Sequence, residues 1–233
     1  MRDVIIACDF KNKEELFDFL KDFEGLNPYL KIGMEIFYKE GPELVRTLKA
    51  RGFKIFLDLK LHDIPNTVKK SMAVLSRLDV DMCNLHASGA TQMMKAALEG
   101  LTRPDGTRPI LIGVTQLTST DQETMEKDLL IKEPIDKVVM HYALTAKNAG
   151  LDGVVCSPLE AEKVHDVCGK DFVTVTPGIR FADGDVGDQK RIMTPKEARK
   201  IGSDYIVVGR PITAAKDPVF AYERCIREFV EGE

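Results

Sequence analysis

The stretch FKIFLDLKLHD, residues 53–63, is the segment that says most about the fold of this chain. Its first part, Phe53–Leu59, is a short apolar run rich in residues that favour β-strands. Seven similar runs lie on either side of it: Val4–Cys8, Tyr29–Gly33, Val80–His86, Pro109–Thr115, Gly153–Cys156, Phe172–Thr176 and Tyr205–Gly209. The pattern therefore predicts eight strands.

The segments between these runs have helical periodicity and helix-start signals. SPLE (157–160) and TPKE (194–197) are capping boxes with proline at the first helical position, and Asp217-Pro218 opens the last helix in the same way. Alternating strands and helices fit an open doubly wound sheet or a closed barrel. The count of eight, the 233-residue length and the lack of GxGxxG after the first strand favour the barrel. We predict a single α/β domain over residues 1–233, a (β/α)8 TIM barrel with parallel strands.

Composition and charge indicate which partners the protein does not bind and in which compartment it is found. The chain is 44% hydrophobic and 30% charged, and its net charge of -4 gives no basic field for nucleic acid or an acidic membrane. The five cysteines form no CxxC pair, and we expect buried, reduced thiols and a cytoplasmic protein. The N-terminus leads directly into a strand, so no signal peptide is expected, and no apolar run reaches the ~18 residues of a membrane span.

Charged residues interrupt the apolar pattern of the third strand. Residues two apart on a strand face the same side, so Asp58 and Lys60 are expected to point into the barrel mouth while the leucines around them face the helices. A structural ion pair is one interpretation. With Lys31 on the second strand and Asp63 in the following loop, the alternative is an array of two cations and two anions that could stabilise a carbanion and protonate it.

The four histidines give weaker signals. His62 is expected to point away from the array, whereas His86 ends the fourth strand and could line the mouth. Asp58, Asp63 and His86 could together bind a metal ion, but no ligand-spacing motif is present and we predict no metal.

The seventh and eighth strands both end in glycine and arginine. TVTPGIR places Gly178 and Arg180 beside Gly209 and Arg210 of IVVGRPIT, where barrels commonly bind phosphate. The polar segment 178–190 between them is either a mobile loop over a site or an ordinary surface loop.

Together these motifs resemble the bacterial orotidine 5′-phosphate decarboxylases over essentially the whole chain. DLKLHDIPNTV (58–68) matches the family signature DxKxxDIPxT. Further matches follow in the family's order: YLKIGMEIFYKEGP (29–42), VTQLTST (114–120), DGVVCS (152–157), TVTPGIR (174–180), DQKR (188–191) and IVVGRPIT (206–213).

The resemblance implies a carboxy-lyase that converts orotidine 5′-monophosphate into UMP and CO2, the last step of de novo pyrimidine synthesis, without a cofactor or metal. It implies that Lys60 donates the proton to C6 and that Asp58 lies near the departing carboxylate. Lys31 and Asp63 complete the array, with Asp63, Ile64 and Thr67 entering from the other subunit of a homodimer. The remaining implied contacts are Asp9 and Lys31 on the ribose, Thr118 on the pyrimidine, and Arg180, Gln189, Gly209 and Arg210 on the phosphate.

Two alternatives are weighed against this interpretation. The chain also resembles the sugar-phosphate decarboxylases of the same suprafamily, which share DxKxxD but use Mg²⁺. These enzymes have an acidic residue at the position of Lys31, and a lysine there would repel the metal ion. A non-catalytic barrel that binds nucleotides would have no need of both Asp58 and Lys60, yet both are present.

Overall fold

The computed structural model describes residues 2–182 and 193–233. Its eight strands are all parallel to their neighbours and pair in chain order, and β1 closes the barrel by pairing with β8. The strands are β1 Asp3–Ala7, β2 Tyr29–Gly33, β3 Lys54–Leu61, β4 Met82–His86, β5 Ile110–Val114, β6 Gly153–Val155, β7 Val173–Thr176 and β8 Tyr205–Val208. The predicted (β/α)8 fold is confirmed, and each predicted strand end lies within two residues of the observed one.

Helices follow the strands and form the outer layer. Within the described residues the α-helices are α1 Lys13–Leu20, α2 Met34–Glu40, α3 Pro42–Ala50, α4 Pro65–Leu75, α5 Ala90–Leu101, α6 Gln122–Lys127, α7 Ile135–Ala149, α8 Ala161–Cys168, α9 Pro195–Lys200, α10 Arg210–Thr213 and α11 Pro218–Cys225. A π-helical stretch, Ile226–Glu231, continues α11. Both predicted capping boxes are present, at Ser157 and Thr194, and Asp217 caps α11.

The apolar core has two parts because alternate residues of each strand face opposite sides. The larger part lies between the strands and the helices and includes Leu57 and Leu59 of β3. The smaller part fills the barrel with strand side chains, namely Ile5, Ala7, Tyr29, Phe56, Met82, Ile112, Val175 and Val207. All five cysteines are buried and free, as predicted. No described helix is long and apolar enough to cross a membrane.

Three aspartates tie the strands together at the N-terminal end of the barrel. Each immediately precedes an even-numbered strand, and its Oδ2 accepts the backbone N–H of the second residue of the strand before. The pairs are Asp81 with Ile55 (2.7 Å), Asp152 with Leu111 (2.8 Å) and Asp204 with Thr174 (2.9 Å). This recurring contact fixes neighbouring strands at the end of the barrel opposite the strand C-termini.

Strand β3 departs from regular pairing near its C-terminal end. Leu57 is level with Cys83 of β4, but the next paired residues are Leu61 and Leu85. Residues 58–60 therefore lie opposite the single residue Asn84, which is a β-bulge. Within it Lys60 has φ +49°, in the left-handed region that residues other than glycine rarely adopt.

Candidate active site

A cavity of about 320 Å³ opens at the C-terminal ends of the strands. Its polar lining continues the inward face of the barrel, since Asp58 and Lys60 follow Phe56 at two-residue intervals and Lys31 follows Tyr29. Eight of the predicted site residues line the cavity: Asp9, Lys31, Asp58, Lys60, Thr118, Arg180, Gly209 and Arg210. The positions at which barrel enzymes carry their chemistry thus hold most of the predicted set.

One side of the cavity carries a chain of alternating charges. Lys31 Nζ lies 2.9 Å from Asp9 Oδ1 and 3.4 Å from Asp58 Oδ2. Lys60 Nζ lies 2.6 Å from Asp58 Oδ1. Asp58 and Lys31 are buried, whereas Asp9 is largely exposed. Asp58 therefore holds both ammonium groups, one on each carboxylate oxygen.

The surroundings keep Asp58 and Lys31 charged. Burial alone would raise the pKa of Asp58, but the charges of Lys31 and Lys60 and the hydrogen bonds from Lys60 and Asn84 outweigh it, so the pKa lies below its ordinary value. Burial would likewise lower the pKa of Lys31, but the carboxylates of Asp58 and Asp9 dominate and raise it. Near neutral pH Asp58 is therefore an anion and Lys31 a cation.

Asn84 is a site residue that the sequence analysis missed. It is 1% exposed and lines the cavity. Its Nδ2 donates to Asp58 Oδ1 at 2.7 Å, and its Oδ1 accepts the backbone N–H of Lys60 at 2.8 Å. The available signal was its position: Asn84 follows Met82 by two residues and is a polar residue in an apolar strand.

The opposite side of the cavity is formed by the ends of β7 and β8. Gly178, Arg180, Gly209 and Arg210 all line it. Gly178 has φ +82°, and Met193 donates its N–H to the Gly178 carbonyl while accepting the Arg180 N–H. Arg180 is buried, and its Nη1 donates to the Ile179 carbonyl at 2.7 Å. The backbone contacts join Gly178 and Arg180, just after β7, to Met193.

The cavity is cationic although the chain is acidic. Four cationic side chains and two carboxylates line it, so it carries an excess of two positive charges against a net chain charge of -4. Such an arrangement attracts a small anion to this end of the barrel without making the surface generally basic.

Asp63, Ile64 and Thr67 do not line this cavity of their own chain, although Asp63 follows the charged residues of β3 closely in sequence. The reason is that Asp63 lies beyond β3 in an exposed turn, where its Oδ1 accepts the Ile64 N–H at 2.7 Å. Asp63 and Thr67 instead line a neighbouring groove with Met34 and Tyr38. The remaining predicted residue, Gln189, lies outside the described residues.

Two of the four histidines, His62 and His86, lie next to each other outside the cavity. His86 does not line the cavity as the sequence suggested; its ring is 5.6 Å from that of His62, centroid to centroid. Burial first, then the charges of His62 and Lys60, lower the pKa of His86. Among residues 2–182 and 193–233, no three His, Cys, Asp or Glu side chains cluster in a way that could bind a metal ion.

Known sequences match the chain closely. The model of the "Orotidine 5′-phosphate decarboxylase / HUMPS family" matches residues 2–225. A Bacillus cytotoxicus protein named orotidine 5′-phosphate decarboxylase is 57% identical over 225 residues, which cover 95% of this chain and 94% of the relative. A Bacillus cereus protein of the same name is 56% identical over 234 residues, covering 99% and 98%.

Solved structures agree with this relationship. The crystal structure of orotidine 5′-phosphate decarboxylase from Lactobacillus acidophilus superposes with a TM-score of 0.88 at 42% identity, covering 98% of this chain and 99% of that one. An uncharacterized conserved protein from Geobacillus kaustophilus gives a TM-score of 0.87 at 46% identity, covering 97% and 99%. By sequence and by fold, the chain belongs to the orotidine 5′-phosphate decarboxylase / HUMPS family.

Proposed function

We propose that the protein decarboxylates orotidine 5′-monophosphate to UMP and CO2, as the last step of de novo pyrimidine synthesis. The observation that carries this proposal is the Lys31–Asp58–Lys60 array, in which Lys31 and Asp58 are buried, facing a cavity with two arginines on its other side. The names of the close relatives point to the same reaction.

The array suits a reaction that leaves negative charge on carbon. When the bond between C6 and the carboxylate breaks, CO2 departs and the electron pair stays on C6. The Lys60 ammonium stabilises that charge and transfers a proton to C6, after which the neutral amine regains a proton from solvent. Asp58, 2.6 Å from Lys60 Nζ, holds the ammonium in place and faces the departing carboxylate.

The arginine side binds the phosphate, away from the bond that breaks. Arg180 and Arg210 supply planar forks of donors, and Gly209 lets the backbone approach an anion. Binding energy gained there can hold the pyrimidine ring, which Thr118 contacts, against the array. Asp9 and Lys31 bind the ribose, and Gln189 completes the phosphate contacts from the segment after β7.

Lys31 separates this reaction from the Mg²⁺-dependent chemistry of the sugar-phosphate decarboxylases. Its ammonium lies between Asp9 and Asp58, which are the carboxylates a divalent cation would otherwise use. A cation fixed at this point repels Mg²⁺ and neutralises its ligands.

We also propose that the enzyme is a cytoplasmic homodimer with shared active sites. Asp63, Ile64 and Thr67 are exposed and outside the cavity of their own chain, and Ile64 is 67% exposed. Met34 and Tyr38 beside them are 42% and 72% exposed, so the surface is apolar enough to be covered by a second copy. The five free thiols fit a reducing compartment.

The first experiment is a turnover assay on chelator-treated protein. Orotidine 5′-monophosphate is added and its ultraviolet absorbance is followed; we expect rapid conversion to UMP, and no conversion by Lys60→Ala with an unchanged fold. Turnover of a keto-sugar phosphate only after Mg²⁺ addition would contradict the proposal. Nucleotide binding without turnover of either substrate would indicate a binding protein instead.

Mixing two inactive variants tests the shared site. Lys60→Ala and Asp63→Ala subunits, combined and allowed to exchange, should regain part of the activity, because a hybrid dimer contains one site with both residues intact. Confirmed hybrid dimers with no activity would show that Asp63 acts within its own chain or not at all.

A further inference from the structure

We propose that Asn84 is a positioning residue: it shapes the β3 bulge and thereby holds Lys60 against Asp58. The inference rests on the proposed decarboxylation and assigns a role to a residue outside the array itself. Asn84 acts through its neighbours, since its two amide hydrogen bonds go to Asp58 and to the Lys60 backbone.

The bulge explains why an amide is needed at this position. Residues 58–60 of β3 lie opposite Asn84 alone, so the regular ladder between β3 and β4 is interrupted there. The Lys60 N–H instead bonds to the Asn84 side chain at 2.8 Å. An apolar residue at position 84 would leave this N–H without that partner in a part-buried position.

The backbone conformation of Lys60 also requires support from its neighbours. Its φ of +49° is disfavoured for any residue with a Cβ atom, so surrounding contacts must stabilise this backbone conformation. The Asn84 contact is directed at the amide of that very residue. Bulges commonly re-aim a side chain near active sites, and here the re-aimed ammonium lies 2.6 Å from Asp58 Oδ1.

The second hydrogen bond of the Asn84 side chain holds the Asp58 carboxylate. Asn84 Nδ2 and Lys60 Nζ both donate to Oδ1 of Asp58, leaving Oδ2 for Lys31. One buried side chain therefore fixes the relative placement of the proposed proton donor and its carboxylate partner. The titratable groups that face Asp58 are Lys31 and Lys60, with His86 further along β4.

Two substitutions separate the two bonds. Asn84→Ala removes both, and we expect kcat to fall about 100-fold because a small misplacement of reacting groups is costly. The Kd for UMP should change less than about 3-fold, since the phosphate contacts lie on the other side. Asn84→Asp keeps the acceptor for the Lys60 N–H but adds a carboxylate beside Asp58. The added negative charge raises the pKa of Asp58, so the acid limb of the kcat/KM profile should move to higher pH by about one unit or more.

The control is Thr174→Val, which removes a buried hydroxyl that bonds to Asp204 at the opposite end of the barrel. It should lower the melting temperature and leave kcat unchanged. An equal loss of kcat in Thr174→Val and Asn84→Ala would reduce the role of Asn84 to general stability. A kcat for Asn84→Ala within about 3-fold of the parent protein would also overturn the proposal.

Hydrogen exchange of the Lys60 amide tests the positioning role without relying on turnover. We expect protection in the parent protein and in Asn84→Asp, and its loss in Asn84→Ala; if Asn84→Ala does not fold, Asn84→Ser replaces it. Unchanged protection would refute the inference even if the enzyme decarboxylates its substrate. Lost protection in a protein that never turns over orotidine 5′-monophosphate would refute the proposed function and leave the positioning role standing.

Discussion

Replacing Asp152 by alanine should destabilise the barrel without slowing the reaction. Asp152 precedes β6 at the N-terminal end, where its Oδ2 accepts the Leu111 N–H at 2.8 Å and its carboxylate forms a two-pronged contact with Arg108. A hydrogen bond to a charged acceptor contributes about 1.5–3 kcal/mol, and a partly exposed ion pair contributes up to about 1 kcal/mol. The expected loss of unfolding free energy is therefore about 3 kcal/mol.

Thermal unfolding gives the measurement. For a chain of this size, about 3 kcal/mol corresponds to a fall in melting temperature of about 6–12 °C. At 20 °C, kcat and KM should match those of the parent protein, because the cavity lies at the other end of the strands. Asp171→Ala is the control, since this exposed aspartate precedes β7 at the same end; its effect should stay within about 0.5 kcal/mol. An Asp152 variant with reduced kcat and an unchanged melting temperature would refute the reasoning that the N-terminal end of the barrel contributes stability and the C-terminal end catalysis.

Three further predictions concern the cavity. The pKa of Asp58 is lowered, so the stability that its charge contributes is present above about pH 4 and is lost as the pH falls through the folded pKa. The pKa of Lys31 is raised, so its contribution is present below about pH 10 and is lost at higher pH. The difference in unfolding free energy between the parent protein and Asp58→Asn should thus be constant from about pH 5 to 9 and shrink in acid; a difference that changes near pH 7 would contradict these shifts. Gly33→Ala would bring a Cβ to 3.0 Å from Asp9 Oδ1 and 3.3 Å from Lys31 Nζ, so kcat/KM should fall several-fold, and unchanged kinetics would show that the Asp9–Lys31 contact is dispensable. Arg180→Lys keeps the charge but loses the fork, so calorimetry should show UMP binding weakened about 10-fold; undiminished affinity would remove Arg180 from the phosphate site.

The barrel could be predicted from sequence because its determinants are local and repeated. Each strand is an apolar run, and the helix starts at Ser157 and Thr194 carry their own capping residues. Strand alternation also placed Asp58 and Lys60 on the inward face. It could not reveal the bulge, because alternation assumes a regular strand, and the extra residues appear only when β3 is set beside β4.

The site was less predictable where it depends on contacts between distant segments. Asn84 was missed because a lone amide in an apolar run carries no motif; its importance comes from facing residues 58–60 of another strand. The assignment of Asp63 to the site of a second subunit came from the family resemblance, because one chain alone only shows its Oδ1 accepting the Ile64 N–H outside the cavity. His86 fits the inward alternation, yet it lies against His62 rather than in the cavity.

The two ends of the barrel use the same kind of contact for different purposes. At the N-terminal end each aspartate bonds to one neighbouring strand, so its loss affects stability locally and the reacting groups not at all. At the C-terminal end one buried carboxylate, that of Asp58, is shared by Lys31, Lys60 and Asn84, so these groups form one network, and Asp58 keeps two partners when Lys60 is removed. A network of this kind is costly to assemble, because it removes several charges from water. Its presence in the lining of a cationic cavity is therefore better explained by chemistry than by stability. Lys60→Ala should accordingly abolish turnover with little change in melting temperature, the reverse of Asp152→Ala.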